Sequence, residues 1–143
     1  MSSIKKMVVE WKGNFRLEAR NEKGVSVRFD ALKESGGEET ALSPMETVLA
    51  SLAACSSYDV LTILKKKRQK VTGFSVEATA ERREEPYPRI FTKIHLKYVV
   101  VGENVAPEAV ERSIELSEKK YCSVGGMLRN TVAISSSFEI LKA

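Results

Sequence analysis

Along most of the chain apolar and polar residues alternate with the period of a half-buried strand, and in one place the alternation stops. Ile4 to Trp11 predicts a first strand. After a Gly13-Asn14 turn signal, Phe15, Leu17 and Ala19 alternate with Arg16, Glu18 and Arg20. After Asn21-Glu22-Lys23-Gly24, Val25, Val27 and Phe29 alternate with Ser26, Arg28 and Asp30. Glycine in the connecting turn supplies the positive φ that a tight hairpin needs. A polar loop, Glu34 to Thr40, follows.

The interruption is helical. Ser43 suits a helix cap, Pro44 the first helical position, and Glu46 completes a Ser-x-x-Glu capping box, which predicts a helix over 44–68. From Val48 through Cys55 it is apolar on nearly every face, the pattern of a helix central to a domain or to an oligomer. Strand patterns then return. Phe74, Val76, Ala78 and Ala80 alternate with polar residues, Pro86-Tyr87-Pro88 marks a turn, and Ile90 to Val100 gives a long strand stopped by Gly102-Glu103-Asn104. Pro107 opens a second helix over 107–119 with Val110, Ile114 and Tyr121 on one face, and Tyr121 to Arg129 predicts a short third helix. Val132, Ile134, Ser136, Phe138 and Ile140 mark the last strand. The order βββαββααβ predicts a single α+β domain over residues 1–143, with mostly antiparallel sheets packed on helices.

Composition adds little to the fold and something to the setting. The chain of 143 residues is 43% hydrophobic and 29% charged, as in globular proteins. Its apolar runs are interrupted by Ser, Lys or Asp, so no membrane-spanning segment is expected. The start, Met1-Ser2-Ser3-Ile4-Lys5-Lys6, lacks the apolar core of a secretory signal, which points to the cytoplasm. The basic run Lys65 to Lys70 has no interleaved aromatics and no nucleic-acid motif. It is read as the cationic end of a helix, and no nucleic-acid partner is expected.

The candidate chemistry lies in the two cysteines, Cys55 and Cys122. In a reducing compartment such a pair is buried, metal-bound or redox-active. Cys55, beside Ala53 and Ala54, fits a small core residue. Cys122 follows Lys119 and Lys120 and opens a new helical segment, two features expected to depress a thiol pKa. If Cys55 is reactive, it lies too far along its helix to feel the N-terminus. Asp59, one turn on, opposes its ionisation, so a cation must come from elsewhere, with Arg16, Arg20 and Arg28 as candidates. His95, the only histidine, is expected on a polar strand face. Two cysteines and one histidine make a poor zinc set, and a Cys55–His95 nucleophilic pair lacks the motif context of a cysteine hydrolase.

Several segments resemble a known family. Ser43-Pro44-Met45-Glu46, then Ala53-Ala54-Cys55, Tyr58-Asp59-Val60 and Ile63-Leu64-Lys65, resemble the first cysteine helix of the OsmC/Ohr family. Glu81 to Glu85 and Pro88 to Leu96 look like the middle strands of its OsmC-like YhfA branch, and Leu116 to Val124 with Met127-Leu128 like that branch's second cysteine segment. The resemblance implies an intertwined homodimer in which sheets wrap central cysteine-bearing helices. It also implies reduction of organic hydroperoxides without a cofactor or metal. The cysteine matching Cys55 becomes a sulfenic acid, the one matching Cys122 resolves it as a disulfide, and an external dithiol reductant restores the pair. Cys55 and Cys122 are then expected to approach each other. The family's activating arginine and glutamate are carried over to Arg28, in Arg28-Phe29-Asp30, and to Glu46. Met45 takes the place of the glutamate directly after proline, and Gly125-Gly126 departs from the usual pair after Tyr-Cys-Ser-Val and is expected to loosen that helix start. The alternative is a dimeric small-ligand-binding or thiol-redox protein of the same fold, without efficient peroxidase turnover.

Overall fold

In the computed structural model, which describes residues 2–143, the predicted element order holds. Two compact units are described separately, the first ending at Val48 and the second spanning Leu49–Ala143.

In the first unit β1 (Met7–Trp11), β2 (Leu17–Asn21) and β3 (Ser26–Phe29) form an antiparallel sheet in sequence order, with Val9 opposite Ala19 and Ala19 opposite Val27. Gly13 and Asn14 both take positive φ, 99° and 50°, as a tight hairpin connection demands. Ile4 lies outside β1 and is exposed, so the first strand starts later than its apolar pattern suggested. Asp30 also departs from expectation. Period-two alternation put it on the polar face, yet it is only 2% exposed. The chain returns over it: its carboxylate accepts from the Thr40 hydroxyl at 2.6 Å, the Thr40 N–H at 3.0 Å and the Ala31 N–H at 2.7 Å. These bonds, led by the Thr40 hydroxyl, hold its pKa down at about 2.

Helix α1 (Pro44–Lys66) starts as the capping box requires. The Ser43 N–H donates to Glu46 Oε1 at 2.9 Å and the Glu46 N–H donates to Ser43 Oγ at 3.3 Å. It ends two residues earlier than expected because Arg68 adopts a left-handed φ of 58°. The Gln69 N–H reaches back to the Leu64 carbonyl and the Arg68 N–H to that of Lys65, each at 3.0 Å, the two bonds of a Schellman motif.

The helix is not buried all round. Within one chain only the stripe Leu52, Ser56, Val60 and Leu64 is fully enclosed. By length and composition α1 is long and apolar enough to cross a membrane, which corrects the expectation that no segment is. Its serines are too weakly polar to break the run, and apart from Asp59 its charges, Glu46, Lys65 and Lys66, lie at the ends. Only 22% of its most apolar window is buried by the chain itself.

In the second unit β4 (Lys70–Arg82) pairs antiparallel with β5 (Phe91–Glu103), but β5 pairs in parallel with β6 (Ala133–Lys142). The sheet is therefore mixed. The β5–β6 connection carries α2 (Pro107–Leu116) and α3 (Ser123–Leu128), the helical crossover that parallel neighbours need. Ile94, Leu96, Tyr98 and Val100 form the buried face of β5, as their alternation predicts.

Between α2 and α3 lies a π turn, Ser117–Tyr121, closed by the Cys122 N–H donating to the Ser117 carbonyl at 2.8 Å. It revises the predicted helix face. Val110, Ile114 and Ser117 are buried, and regular α spacing would next turn Tyr121 inward. The wider turn inserts one residue, so Tyr121 is 49% exposed and Cys122 takes the interior position at 6%.

Candidate active site

The π turn and α1 together bring the two cysteines to one place. Cys55 projects half-buried from α1, one turn before Asp59, and Cys122 is buried at the start of α3. Burial foremost pushes the Cys122 thiol up to about 11. The Gly125 N–H, donating to Sγ at 3.3 Å, opposes the rise, while hydrogen bonding and charge from Cys55 and the charge of Asp59 add to it. The expectation that Lys119 and Lys120 depress this thiol is therefore corrected. The Lys119 ammonium is mostly exposed and 3.9 Å from Glu115, Lys120 lies over the Tyr121 ring at 5.2 Å, and α3 is too short to present much of a dipole.

Cys122 borders a cavity of about 360 Å³ whose walls are mainly apolar, among them Leu52, Leu96, Ile114 and Val132. Gly125 is a functional position that sequence reasoning took only for a loosening element. A Cβ there would stand 3.3 Å from Cys122 Sγ, whereas one on Gly126 would meet nothing within 4 Å. One glycine admits the sulfur and the other is free.

A buried hydroxyl cluster closes the cavity floor and has no counterpart in the sequence-based expectations. Ser56 Oγ lies 2.6 Å from the Tyr98 hydroxyl and 2.8 Å from Ser117 Oγ, and the Ser117 hydroxyl donates to Asp59 Oδ2 at 2.9 Å. The available signal was Ser113 and Ser117 standing in register with Val110 and Ile114, since polar residues on a buried face need partners.

The other candidates lie as follows. Glu46 uses its carboxylate in the capping box, and the Ser43 N–H and hydroxyl lower its pKa. Arg28 is 82% exposed on β3, with Nε 3.7 Å from Glu18 Oε2, and borders a cleft of about 480 Å³ with Lys12, Arg16 and Glu18. Arg16 pairs with Glu38 at 3.3 Å, and Arg20 is held by both Glu10 and Glu18, which leaves Arg28 the least engaged of the three candidate guanidiniums. His95 spends both ring nitrogens on serines, Nδ1 on Ser135 at 2.7 Å and Nε2 on Ser137 at 2.8 Å.

The elements make up a two-sheet α+β fold with a cysteine on its long helix and a second cysteine at a helix start. The chain belongs to the OsmC-like family, whose family model matches residues 36–137. It is 45% identical to the protein YhfA of Escherichia coli K12 over 112 residues, covering 78% of this chain and 83% of that one. The crystal structure of a hypothetical protein from Aquifex aeolicus VF5 superposes with a TM-score of 0.86 at 33% identity, covering 99% of each chain. The organic hydroperoxide resistance protein OsmC of Legionella pneumophila shares the fold, with a TM-score of 0.70 at 14% identity, covering 96% of this chain and 97% of that one. The family includes the Ohr and OsmC peroxidases.

Proposed function

We propose that this protein is a thiol-dependent reductase of organic hydroperoxides, acting through a sulfenic acid and disulfide cycle in oxidative-stress defence. The observation that carries the reading is the influence of Cys55 on the Cys122 thiol by hydrogen bonding and charge, although the two belong to different helices, with Cys122 itself bordering an apolar cavity. Membership of a family that includes hydroperoxide reductases supports it further.

In this reading the Cys55 thiolate attacks the peroxide oxygen. The O–O bond breaks, and the alcohol leaves after taking a proton. Cys55 is oxidised to the sulfenic acid and the peroxide is reduced. The Cys122 sulfur then attacks the Cys55 sulfur, expelling the oxygen as water and forming the disulfide, which an external dithiol re-reduces. Arg28 supplies the positive potential that the Cys55 thiolate needs, and Glu46 orients its guanidinium. Apolar walls around Cys122 favour bulky organic peroxides over hydrogen peroxide.

The working unit is a homodimer of 1–143 chains, each acting as one OsmC-like domain, in the reducing cytoplasm. What supports association is unspent apolar surface: Trp11 is 72% exposed, Met127 is 83% exposed, and helix α1 is largely uncovered. The test is rapid mixing with cumene hydroperoxide followed by a thiol count. Consumption of peroxide with loss of both thiols supports the reading, and unchanged thiols overturn it. A thiol-redox or ligand-binding protein is the second reading, favoured by one observation, the reluctance of Cys122 to ionise.

A further inference from the structure

Arg129 is an unpaired cation beside a thiol. Among the described residues no carboxylate pairs with its guanidinium, whereas Lys119, the other cation at the cavity wall, lies 3.9 Å from Glu115. A Cβ on Gly125 would stand 3.3 Å from Cys122 Sγ, 3.4 Å from Arg129 Nη2 and 3.5 Å from Leu52 Cδ1. The guanidinium, the sulfur and an apolar side chain therefore border one methyl-sized space. All four residues line the cavity of about 360 Å³, and Cys55 is not part of its wall. A mainly apolar cavity of this size admits a small aliphatic molecule, and a guanidinium in its wall favours one that carries negative charge. Glu118 borders the cavity as well, so the wall holds two cations against one anion.

We propose that this cavity admits a small aliphatic dithiol as the reductant, and that Arg129 draws its thiolate to the Cys122 sulfur of the disulfide, expelling Cys55. This deepens the reading of the two cysteines as a cycling pair and rests on it. The attacking species in thiol–disulfide exchange is a thiolate, an anion that an apolar cavity excludes unless a cation receives it. The reductant sulfur bonds to Cys122 Sγ. The Cys55–Cys122 bond breaks with its electron pair on the Cys55 sulfur, which takes a proton from solvent. The second thiol of the reductant, losing its proton, then attacks the reductant sulfur that is bonded to Cys122. A cyclic disulfide leaves, and Cys122 keeps the electron pair and takes a proton. The protein is reduced by two electrons and the dithiol is oxidised by two.

The order of departure fits the site. Burial pushes the Cys122 thiol up to about 11, and a thiol of high pKa leaves slowly. Attack at Cys122 reserves that departure for the second step, which is intramolecular and gains from a high effective concentration. Attack at Cys55 would put the same departure in the bimolecular step. Tyr98, Ser56 and Ser117 also line the cavity, but their hydroxyls are engaged with one another and with Asp59, which leaves Arg129 to receive the anion.

The experiment closes the disulfide with diamide rather than peroxide, so that its outcome does not depend on peroxidase activity. The oxidised protein is mixed with mercaptoethanesulfonate, an anionic monothiol, quenched with N-ethylmaleimide, and its adducts are located by peptide mass. The monothiol is expected on Cys122 and the maleimide on Cys55, and the reverse would overturn the proposal. Arg129→Gln is expected to slow this reaction, and re-reduction by dithiothreitol, by about tenfold at low salt and by less at high salt, while Arg129→Lys keeps most of the rate. Cysteamine, whose ammonium offsets its thiolate, should lose less to Arg129→Gln than the sulfonate does, a charge selectivity that a loss of packing would not produce. Equal rates in wild type and Arg129→Gln would overturn the proposal. A cysteine pair that diamide cannot close would overturn the proposal and the disulfide cycle together. A pair that closes with diamide but not with a hydroperoxide would overturn only the peroxidase reading.

Discussion

Gly125 brings its backbone against the sulfur of Cys122: its N–H donates to Sγ at 3.3 Å, and a methyl group on its Cα would stand 3.3 Å from the same atom. The adjacent Gly126 touches nothing in that direction. Glycine normally weakens a helix, so the two positions separate local propensity from packing. Gly126→Ala should stabilise the protein by about 0.5–1 kcal/mol. Gly125→Ala gains the same propensity but crowds the thiol, and should be less stable than Gly126→Ala by about 1 kcal/mol or more. Paired urea melts check both, and equal stabilities would remove the packing role of Gly125.

The Cys122 thiol should stay protonated well into the alkaline range. Its folded pKa, about 11, lies above the ordinary value of 9.0. A raised thiol pKa means that the neutral form is favoured by folding. That contribution is fully present below about pH 9 and fades as pH rises toward 11. In a Cys55→Ser protein, whose serine removes one of the smaller influences, the iodoacetamide reaction of Cys122 should climb only above pH 9. A midpoint at or below the ordinary thiol value would contradict the burial seen here.

Glu46 has one visible duty and one proposed duty, and a single substitution divides them. Glutamine also completes a capping box, so Glu46→Gln should leave stability nearly unchanged, whereas Ser43→Ala should cost about 1 kcal/mol. If the carboxylate also orients the activating guanidinium, Glu46→Gln should slow Cys55 oxidation while the melting curve stays put. Arg28→Ala should slow the same step, and it should cost little stability because this arginine is 82% exposed. Unchanged oxidation in both variants would remove them from the mechanism.

Association should be obligate. Val9, Trp11, Tyr58 and Met127 are all more than half exposed in the single chain, and the apolar window of α1 is mostly uncovered. An isologous contact burying roughly 2,000 Å² or more is expected. Light scattering at micromolar concentration should return twice the mass of 15.9 kDa, and a stable monomer would contradict it.

What the sequence made legible was local chemistry. The start of α1 follows from Ser43, Pro44 and Glu46 because capping needs only residues a few positions apart. The strands of both sheets follow from alternation. Asp30 was misplaced because Thr40, which buries and holds it, returns from ten residues on. Tyr121 and Cys122 exchanged faces because a π turn breaks the period that face assignments assume. The hydroxyl chain was invisible because Ser56, Tyr98 and Ser117 meet only when α1, β5 and the π turn are assembled. The crossover that makes β6 parallel to β5 is likewise a property of the assembled sheet, and it left no mark on the alternation within either strand.

The most direct test of the central claim is the mass of the protein after a single equivalent of cumene hydroperoxide, with its thiols counted in parallel. The account predicts loss of both thiols and a mass lower by two hydrogens, reversed by a dithiol, with a stable sulfenic acid on Cys55 when Cys122 is replaced by Ser. Oxygen added at Cys55 while Cys122 remains a free thiol in the wild-type protein, or no change in either cysteine, would contradict it.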